Sequence, residues 1–328
     1  MEIFCRWLTH NRRMPLSPHD DRQQPALGLG LDAGGTQTRW ALADGRGVLL
    51  AQGHAAGFTA LQMSSADGAQ ALAAVLADIA RQVQVRVQAH GRVTALCAGL
   101  TGFDGDGQAP LSRLFVQAFN VPMQALRLLP DIELACRAAF APGEGYLVYA
   151  GTGSVAAFVD AQEQLHRAGG RGGLIDDGGS GYWIAREALR HIWRGEDEQP
   201  GAWRGSALAT KIFNAVGGCE WADTRRWVYG ASRGQLGELA VAVAAAADAD
   251  PAALALLENA GRELARLAQA LAHRHGARPV AFGGRVFQLH PVIEQSMRDA
   301  LPGCVVHAAA GLAPHITAAL LAAKGSLT

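Results

Sequence analysis

Apolar positions in the first half of the chain follow a strand pattern before they follow a helical one. Short runs that are apolar throughout or alternate with polar residues, typical of β-strands, occur at 27–32, 38–43, 48–51, 93–98 and 126–129. Stretches with helical spacing occur at 64–88, 111–119 and 132–140. In chain order these elements form a βββαβαβα unit, whose first three strands are antiparallel because tight turns join them.

The second half repeats the same order of patterns. Its strands are predicted at 146–149, 155–159, 165–167, 279–282 and 305–307. Its helices are predicted at 180–194, 251–275, 291–300 and 314–324. A duplicated unit is the simplest description, and two such units facing each other would bring their glycine turns to opposite walls of one cleft.

The fold expected from this layout is α/β, with two RNase H-like lobes. This is the architecture of the actin, hexokinase and Hsp70 superfamily, in which the nucleotide lies in a cleft between the lobes. Residues 1–25 are polar and contain prolines, so we expect a flexible N-terminal extension. The first lobe is predicted to span 26–137 and the second 138–328, and the last helix could return to the first lobe.

The composition is that of a globular protein without a strongly charged partner. Of 328 residues, 49% are hydrophobic and 18% charged, which excludes wholesale disorder. The formal net charge is zero, which argues against nucleic acid or a membrane surface as the main partner. Because we find neither a signal-peptide pattern nor a run of 18 apolar residues, we expect a cytoplasmic protein with no membrane helix.

Cysteine and lysine usage excludes several kinds of site. The five cysteines are widely spaced and never form a Cys-x-x-Cys pair, so we expect buried thiols rather than disulfides or zinc ligands. The only lysines are Lys211 and Lys324, and neither lies in a Walker A motif or a protein-kinase strand motif. If the protein handles ATP, it must use backbone amides, hydroxyls and a metal.

The first glycine-rich turn combines an acid, glycines and hydroxyls, in the order Asp-Ala-Gly-Gly-Thr-Gln-Thr at 32–38. Glycines let backbone N–H groups approach phosphate oxygens, and threonine hydroxyls add donors. Asp32 could hold hydrated Mg²⁺. The alternative is an ordinary hairpin turn, but this motif is more specific than a pair of glycines and favours phosphate binding. The predicted phosphate contacts are Gly34, Gly35, Thr36 and Thr38.

Two further glycine sites follow strands of the second half. One consists of Gly151, Thr152, Gly153 and Ser154. Alone it fits a plain turn equally well, but its place in a duplicated half favours phosphate binding. The other, Gly283 and Gly284, follows a strand and could flank an adenine ring, or simply connect the strand to the next helix.

Acidic residues supply the candidate chemistry. Asp131 lies between a strand and a helix, where a carboxylate can cap the helix or act as a general base at a carboxyl end of the sheet. With the phosphate loops present, we favour the base. Residues 169–181 contain seven glycines together with Asp176 and Asp177, which are available for a metal or for sugar hydroxyls.

As a set, the motifs at 32–38, 151–154 and 178–185 together with Asp131 resemble the BadF/BadG/BcrA/BcrD ATPase family, and within it most closely the N-acetylglucosamine and glucosamine kinases. The resemblance runs from about residue 27 to 324. It implies transfer of phosphate from ATP, with Mg²⁺, to the 6-hydroxyl of an amino sugar by a homodimer. It makes Asp131 the base, and it implies further contacts to phosphate from Thr36 and Thr152 and to sugar from Thr101 and Asp177.

The chain departs from these kinases on the sugar side. Their sugar-binding asparagine is replaced by Ala-Gly-Phe-Thr at 56–59, and the tryptophan of their Gly-Gly-Trp-Gly motif is replaced by Arg171, which follows Gly170. Their Gly-Asp-Glu-Gly-Ser motif reads Asp-Asp-Gly-Gly-Ser at 176–180. We therefore expect Gly170 and Arg171 on the substrate side, where Arg171 could meet phosphate or an acidic sugar. An ATP-dependent phosphotransferase is the safer prediction.

Two other functions remain open at this point. The family's other branch consists of ATPases that activate a dehydratase through a [4Fe–4S] cluster, for which Cys97 and Cys136 are candidates by number alone. A sugar sensor without catalysis is the second alternative. Its repressor relatives carry a DNA-binding arm of about 60 residues, whereas 25 mostly polar residues precede the first strand here.

Overall fold

The computed structural model describes residues 25–87, 90–105, 108–309 and 311–325. The extension predicted for 1–25 lies outside these ranges except for Pro25. Two five-stranded mixed sheets, each covered by helices, form a two-lobed α/β fold. Among the helices described, none is long and apolar enough to cross a membrane.

The first sheet is built from the first half of the chain. Its strands are β1 Ala26–Ala33, β2 Gln37–Asp44, β3 Leu49–Ala56, β4 Arg92–Leu100 and β5 Leu126–Pro130. Their spatial order is β3-β2-β1-β4-β5, with the first three antiparallel and with β4 and β5 parallel to β1. The helices are α1 Ala66–Val87, α2 Gln108–Phe119 and α3 Asp131–Ala139. Apolar residues of α1 and α2 cover one face of this sheet and form its core.

The second sheet repeats this topology. Its strands are β6 Tyr146–Ala150, β7 Ser154–Val159, β8 Leu165–Gly169, β9 Val280–Gly283 and β10 Val306–Ala308. They lie in the order β10-β9-β6-β7-β8. Taken from the other edge, as β8-β7-β6-β9-β10, this is the order of the corresponding strands in the first sheet. The predicted duplication is therefore confirmed. The helices that the sequence predicts here are α4 Gly181–Glu198, α8 Pro251–His275, α9 Pro291–Asp299 and α10 Pro314–Ala323.

Three helices between α4 and α8 were not predicted. They are α5 Ala207–Val216, α6 Trp221–Gly230 and α7 Arg233–Ala244. Each is short, and Ser206 and Ser232 cap α5 and α7 by accepting a bond from a backbone N–H of the first turn. Helix α7 packs on α4 and α8, α5 packs on α7 and α4, and α6 packs on α5, so packing rather than a strong local pattern stabilises them.

Helices α3 and α10 lie side by side between the two sheets. On α3, Leu134 packs with β4 and β5 in one core, whereas Ile132 and Cys136 pack with β6, β7 and β9 in another. Helix α10 packs on β1, β2 and β4. The start of α3 therefore lies where the two lobes meet.

The first prediction concerns Gly195, inside α4. A Cβ atom added there would have open space and the backbone does not require glycine, so Gly195→Ala should stabilise the protein by about 0.5–1 kcal/mol through helix propensity. Gly217 is the matched control, because it also has open space but ends α5 at a φ of +91°. Gly217→Ala should destabilise the protein in the same urea titration; stabilisation by both variants would contradict the argument.

Candidate active site

The carboxyl ends of three parallel strands converge around Asp131. Asp131 follows β5 directly and is the first residue of α3. Its Oδ1 accepts from the Ile132 amide at 2.7 Å, and its Oδ2 accepts from the Thr101 hydroxyl at 2.6 Å. Thr101 follows β4, and its amide donates to the Ala33 carbonyl at the end of β1. Backbone and hydroxyl bonds thus fix the orientation of the carboxylate.

Asp32 is a second carboxylate in the same place. It lies one residue before the end of β1, and its pKa is raised to about 6. Burial is the larger cause and the charge of Asp131 the next, while Arg39, its register partner on β2, opposes them. A bound cation would favour the ionised form of Asp32 and so offset both causes. The described residues contain no cluster of three or more metal-binding side chains, so such a cation would take its remaining ligands from phosphates and water.

The first glycine loop joins β1 to β2 beside Asp32. The Gly34 amide donates to the Gln37 carbonyl, and Gly35 and Thr36 are exposed at the tip. A Cβ at Gly57 would lie 2.5 Å from backbone atoms of Gly34 and Gly35, so glycine is needed where the end of β3 crosses the loop.

Thr38 differs from the other residues predicted in this loop. Its side chain is fully buried, and its hydroxyl has no hydrogen-bond partner among the residues described. The alternation along β2 explains this, since Thr38 shares its face with Trp40 in the core of the sheet, whereas Arg39 lies on the opposite face at an exposed position. A phosphate contact by Thr38 stays a prediction that the buried side chain does not support.

The second glycine loop joins β6 to β7 and rests on the start of α4. The Gly151 amide donates to the Gly153 carbonyl across the turn, and the Gly181 amide donates to the Gly151 carbonyl. The Ser154 hydroxyl is buried and donates to the Gly178 carbonyl at 2.7 Å. Ser154 therefore anchors the loop to the acidic segment at 176–180, while Gly151, Thr152 and Gly153 are partly accessible.

The third glycine site lies next to the second loop. Gly283 ends β9 in register with Tyr149 of β6. Gly284 has a φ of +103°, and a Cβ there would lie 2.1 Å from the Ala150 carbonyl oxygen. Only glycine allows this close passage, and the structure thus brings Gly283 and Gly284 beside the loop that begins at Gly151.

Both aspartates of the acidic segment form ion pairs with arginines. Asp177 is buried, accepts from the Gly172 amide and pairs with Arg233, whereas Asp176 pairs with Arg266 at 3.0 Å. The predicted sugar contact by Asp177 stays a prediction, and its observed contacts are structural.

The other two residues predicted on the substrate side lie in the turn that follows β8. The Gly170 amide donates to the Ser154 carbonyl at a φ of +66°. Arg171 is exposed and forms no ion pair with any described residue. Their roles toward the substrate stay predictions.

Sequence reasoning missed two residues of this region. Tyr149 is 41% exposed, and its pKa is raised by burial and then by the charges of Asp32 and Asp131, which brings a residue of the second sheet to the carboxylates of the first. Arg233 begins α7 and reaches Asp177. Tyr149 could have been found as the tyrosine next to the second glycine loop at the end of β6, whereas Arg233 lies on a helix that the sequence did not predict.

The chain was compared with curated proteins. An N-acetyl-D-glucosamine kinase of Dictyostelium discoideum is 24% identical over 180 residues, which cover 52% of this chain and 55% of that protein. An N-acetylmuramic acid/N-acetylglucosamine kinase of Clostridium acetobutylicum is 27% identical over 106 residues, covering 32% and 34% respectively. The chain therefore spans about half and about a third of the length of these curated relatives.

Solved structures share the fold. A candidate N-acetylglucosamine kinase of Chromobacterium violaceum superposes with a TM-score of 0.68 at 24% identity, covering 92% of this chain and 99% of that one. A ROK family glucokinase of Streptomyces griseus, solved with glucose and AMPPNP, gives a TM-score of 0.54 at 18% identity, with coverages of 90% and 98%. These likenesses establish the two-lobed architecture.

The family comparison covers most of the chain. The model of the BadF/BadG/BcrA/BcrD ATPase family matches residues 29–322, which include both sheets, the three glycine sites and Asp131. The resemblance drawn from the motifs is thereby confirmed, and the chain belongs to the BadF/BadG/BcrA/BcrD ATPase family.

Proposed function

We propose that the protein is an ATP-dependent kinase that phosphorylates the 6-hydroxyl of an amino sugar, either N-acetylglucosamine or glucosamine. The observation that carries the proposal is the Asp131 carboxylate, oriented by Thr101 and Ile132 at the junction of the lobes and placed beside Asp32. Membership of an ATPase family and the names of the curated relatives support it.

Asp131 would act as general base. A sugar hydroxyl within hydrogen-bond reach of Oδ2 would donate its proton as it attacks the terminal phosphorus of ATP. The Thr101 hydroxyl, now bonded to that oxygen, would hold the carboxylate in the orientation needed. The Ile132 amide fixes the other oxygen, so the carboxylate loses little rotational freedom when substrate binds.

The glycine loops would hold the nucleotide. Gly35 and Thr36 present amides and a hydroxyl from the first lobe, and Thr152 and Gly153 present the corresponding groups from the second, whereas the Gly34 and Gly151 amides shape their own loops. Gly283 and Gly284, adjacent to the second loop, leave a surface without side chains on which the adenosine could lie. Closure of the two lobes would exclude water from the phosphates.

Mg²⁺ fits the acidic end of this site. Asp32 is largely buried, its pKa is raised, and it is not neutralised by a bonded cation among the residues described. A bound Mg²⁺ supplies charge neutralisation on the β- and γ-phosphates. Asp32 would hold it through its carboxylate, directly or through water.

The sugar side supports an amino sugar less specifically. The departures at 56–59, Arg171 and 176–180 stand where the related kinases bind their sugar. Arg171 is exposed and free to meet a carboxylate-bearing sugar. A homodimer located in the cytoplasm is part of the proposal, as the family resemblance implies.

The Fe–S activator alternative loses its candidate ligands. Cys97 and Cys136 are buried, and burial raises the pKa of these thiols to about 12 and about 11. A cluster shared across a dimer needs accessible thiolates, which these side chains do not provide.

The test is ADP release with ATP and Mg²⁺ across a panel of sugars. The panel contains N-acetylglucosamine, glucosamine, N-acetylmuramic acid, N-acetylmannosamine and glucose. Sugar-dependent release, with a 6-phosphate identified by ³¹P NMR, would support the proposal. ATP hydrolysis that no sugar stimulates would point to an activator, and sugar binding without turnover would point to a sensor.

The raised pKa of Asp32 yields a second prediction. Asp32 binds its proton up to about pH 6 in the folded protein and only up to about 3.8 when unfolded, so stability should fall as pH rises from about 4 to 6 and then level off. In metal-free buffer at pH 7, Asp32→Asn should therefore stabilise the protein by about 1–2 kcal/mol, after allowance for solvent screening.

Urea titrations at pH 4.5 and 7 in the presence of EDTA measure this effect. The wild-type and Asp32→Asn proteins should differ more at pH 7 than at pH 4.5. In EDTA-free buffer at pH 7, Mg²⁺ with ADP should narrow this difference in stability, because it should stabilise the wild type more than Asp32→Asn. An equal difference at both pH values would contradict a perturbed carboxyl.

A further inference from the structure

An arginine is held over the second glycine loop by a buried carboxylate. Arg233 is the first residue of α7, and its Nη2 atom donates to Oδ2 of Asp177. Asp177 is 2% exposed, and its other oxygen accepts from the Gly172 amide at 3.2 Å. Both carboxylate oxygens are thus engaged, and Asp177 is a fixed anchor for the guanidinium.

The guanidinium lies directly against the loop. A Cβ added at Gly153 would be 2.7 Å from the Arg233 Nη2 atom and 2.8 Å from the Asp177 Oδ2 atom. The third contact is Tyr182, whose ring centroid is 5.8 Å from the Arg233 Cζ atom. Glycine at 153 therefore leaves room for a cation beside the exposed part of the loop.

Much of this guanidinium is still available. The Arg233 side chain is 47% exposed, and of its five N–H bonds only one, on Nη2, has an acceptor within the described part of the chain. Arginine donors in a planar fork match phosphate oxygens, and a buried partner that holds one edge reduces the entropy lost when the other edge binds. The arrangement is that of an anion-binding group prepared in advance.

The chain needs such a group. Phosphoryl transfer requires positive charge around the phosphates, and the two lysines lie elsewhere, Lys211 on α5 and Lys324 after α10. Helix α7 is one of the three helices inserted between α4 and α8, so this cation comes from outside the repeated βββαβαβα framework.

We propose that Arg233 binds the β- or γ-phosphate of the nucleotide, and that Asp177 is a positioning residue that holds Arg233 over the Gly151–Ser154 loop. The inference rests on the proposed kinase function. The competing reading is a purely structural ion pair that fastens α7 to the acidic segment, and the two readings differ in whether phosphate affinity depends on Arg233.

Calorimetric titration with ADP, AMP and adenosine, each with Mg²⁺, separates the two readings without any need for turnover. Arg233→Gln should weaken ADP binding by about tenfold to a hundredfold, whereas adenosine binding should stay within about twofold. Arg233→Lys should recover part of the loss. Arg266→Gln is the matched control, because it removes the neighbouring pair with Asp176, and it should leave ADP affinity unchanged.

Removing Arg233 alone leaves a buried carboxylate unpaired and could unfold the protein. The double variant Arg233→Gln with Asp177→Asn avoids the unpaired charge and should show the same loss of ADP affinity. If a folded double variant binds ADP as the wild type does, the pair is structural and the proposal fails. If the wild type itself binds no ATP or ADP, the kinase proposal fails instead, so the two failures are distinguishable.

Discussion

Replacing Asp131 by asparagine is expected to lower sugar-stimulated ATP turnover by at least a hundredfold. Asparagine has nearly the same shape, and its amide oxygen can still accept from Thr101 or Ile132, but it cannot take a proton from the substrate hydroxyl. General-base catalysis contributes roughly 10²–10⁴-fold, which sets the size of the loss. ADP release under saturating ATP and sugar measures it.

The controls for this variant separate chemistry from binding and folding. Asp299→Asn removes a carboxylate on α9 whose only hydrogen-bond partner among the described residues is Gln295, and it should leave turnover unchanged. ADP affinity of Asp131→Asn should remain near that of the wild type. A loss of less than tenfold in a folded Asp131→Asn protein would remove Asp131 from the role of base and leave Asp32 as the remaining carboxylate of the site.

The sequence predicted the fold wherever an element has a clear local pattern of apolar and polar residues. All ten strands were predicted because each is a short apolar or alternating run next to a glycine, an aspartate or a proline. The duplication predicted that both halves would share one topology, and the two sheets do. Helices α5 to α7 have no such local signal, because they are short and are stabilised by packing on one another and on α4 and α8.

Part of the candidate site could also be predicted from the sequence. The duplication led us to expect the first two glycine loops on facing walls of one cleft, and the third site, Gly283 and Gly284, lies beside the second loop. The Arg233–Asp177 pair could not, because it joins residues 56 positions apart and one partner lies on an unpredicted helix. Thr38 shows another limit of sequence reasoning, because a motif does not reveal which face of a strand each of its hydroxyls occupies.

The sequence allowed the last helix to return to the first lobe, but it did not predict how closely α10 approaches β1. Gly28 and Gly30 alternate with the buried leucines of β1 and thus share the opposite face. The backbone of α10 lies directly on this face: a Cβ at Gly28 would be 2.2 Å from the Ala323 nitrogen. Helix and strand backbones meet without a layer of side chains between them, and β1 is the strand that carries Asp32.

Gly30→Ala is accordingly expected to destabilise the protein by about 3 kcal/mol, at the upper end of what overpacking costs. The added Cβ would lie 2.1 Å from the Ala319 nitrogen and 2.2 Å from the His315 carbonyl oxygen, both backbone atoms that move only if α10 shifts as a whole. Urea unfolding measures the change. Gly195→Ala is the matched control, since the same substitution in open space is expected to stabilise the protein. A Gly30→Ala protein as stable as the wild type would show that α10 can withdraw from β1 at little cost. In that case the first lobe would be held by the α1 and α2 side of its sheet alone.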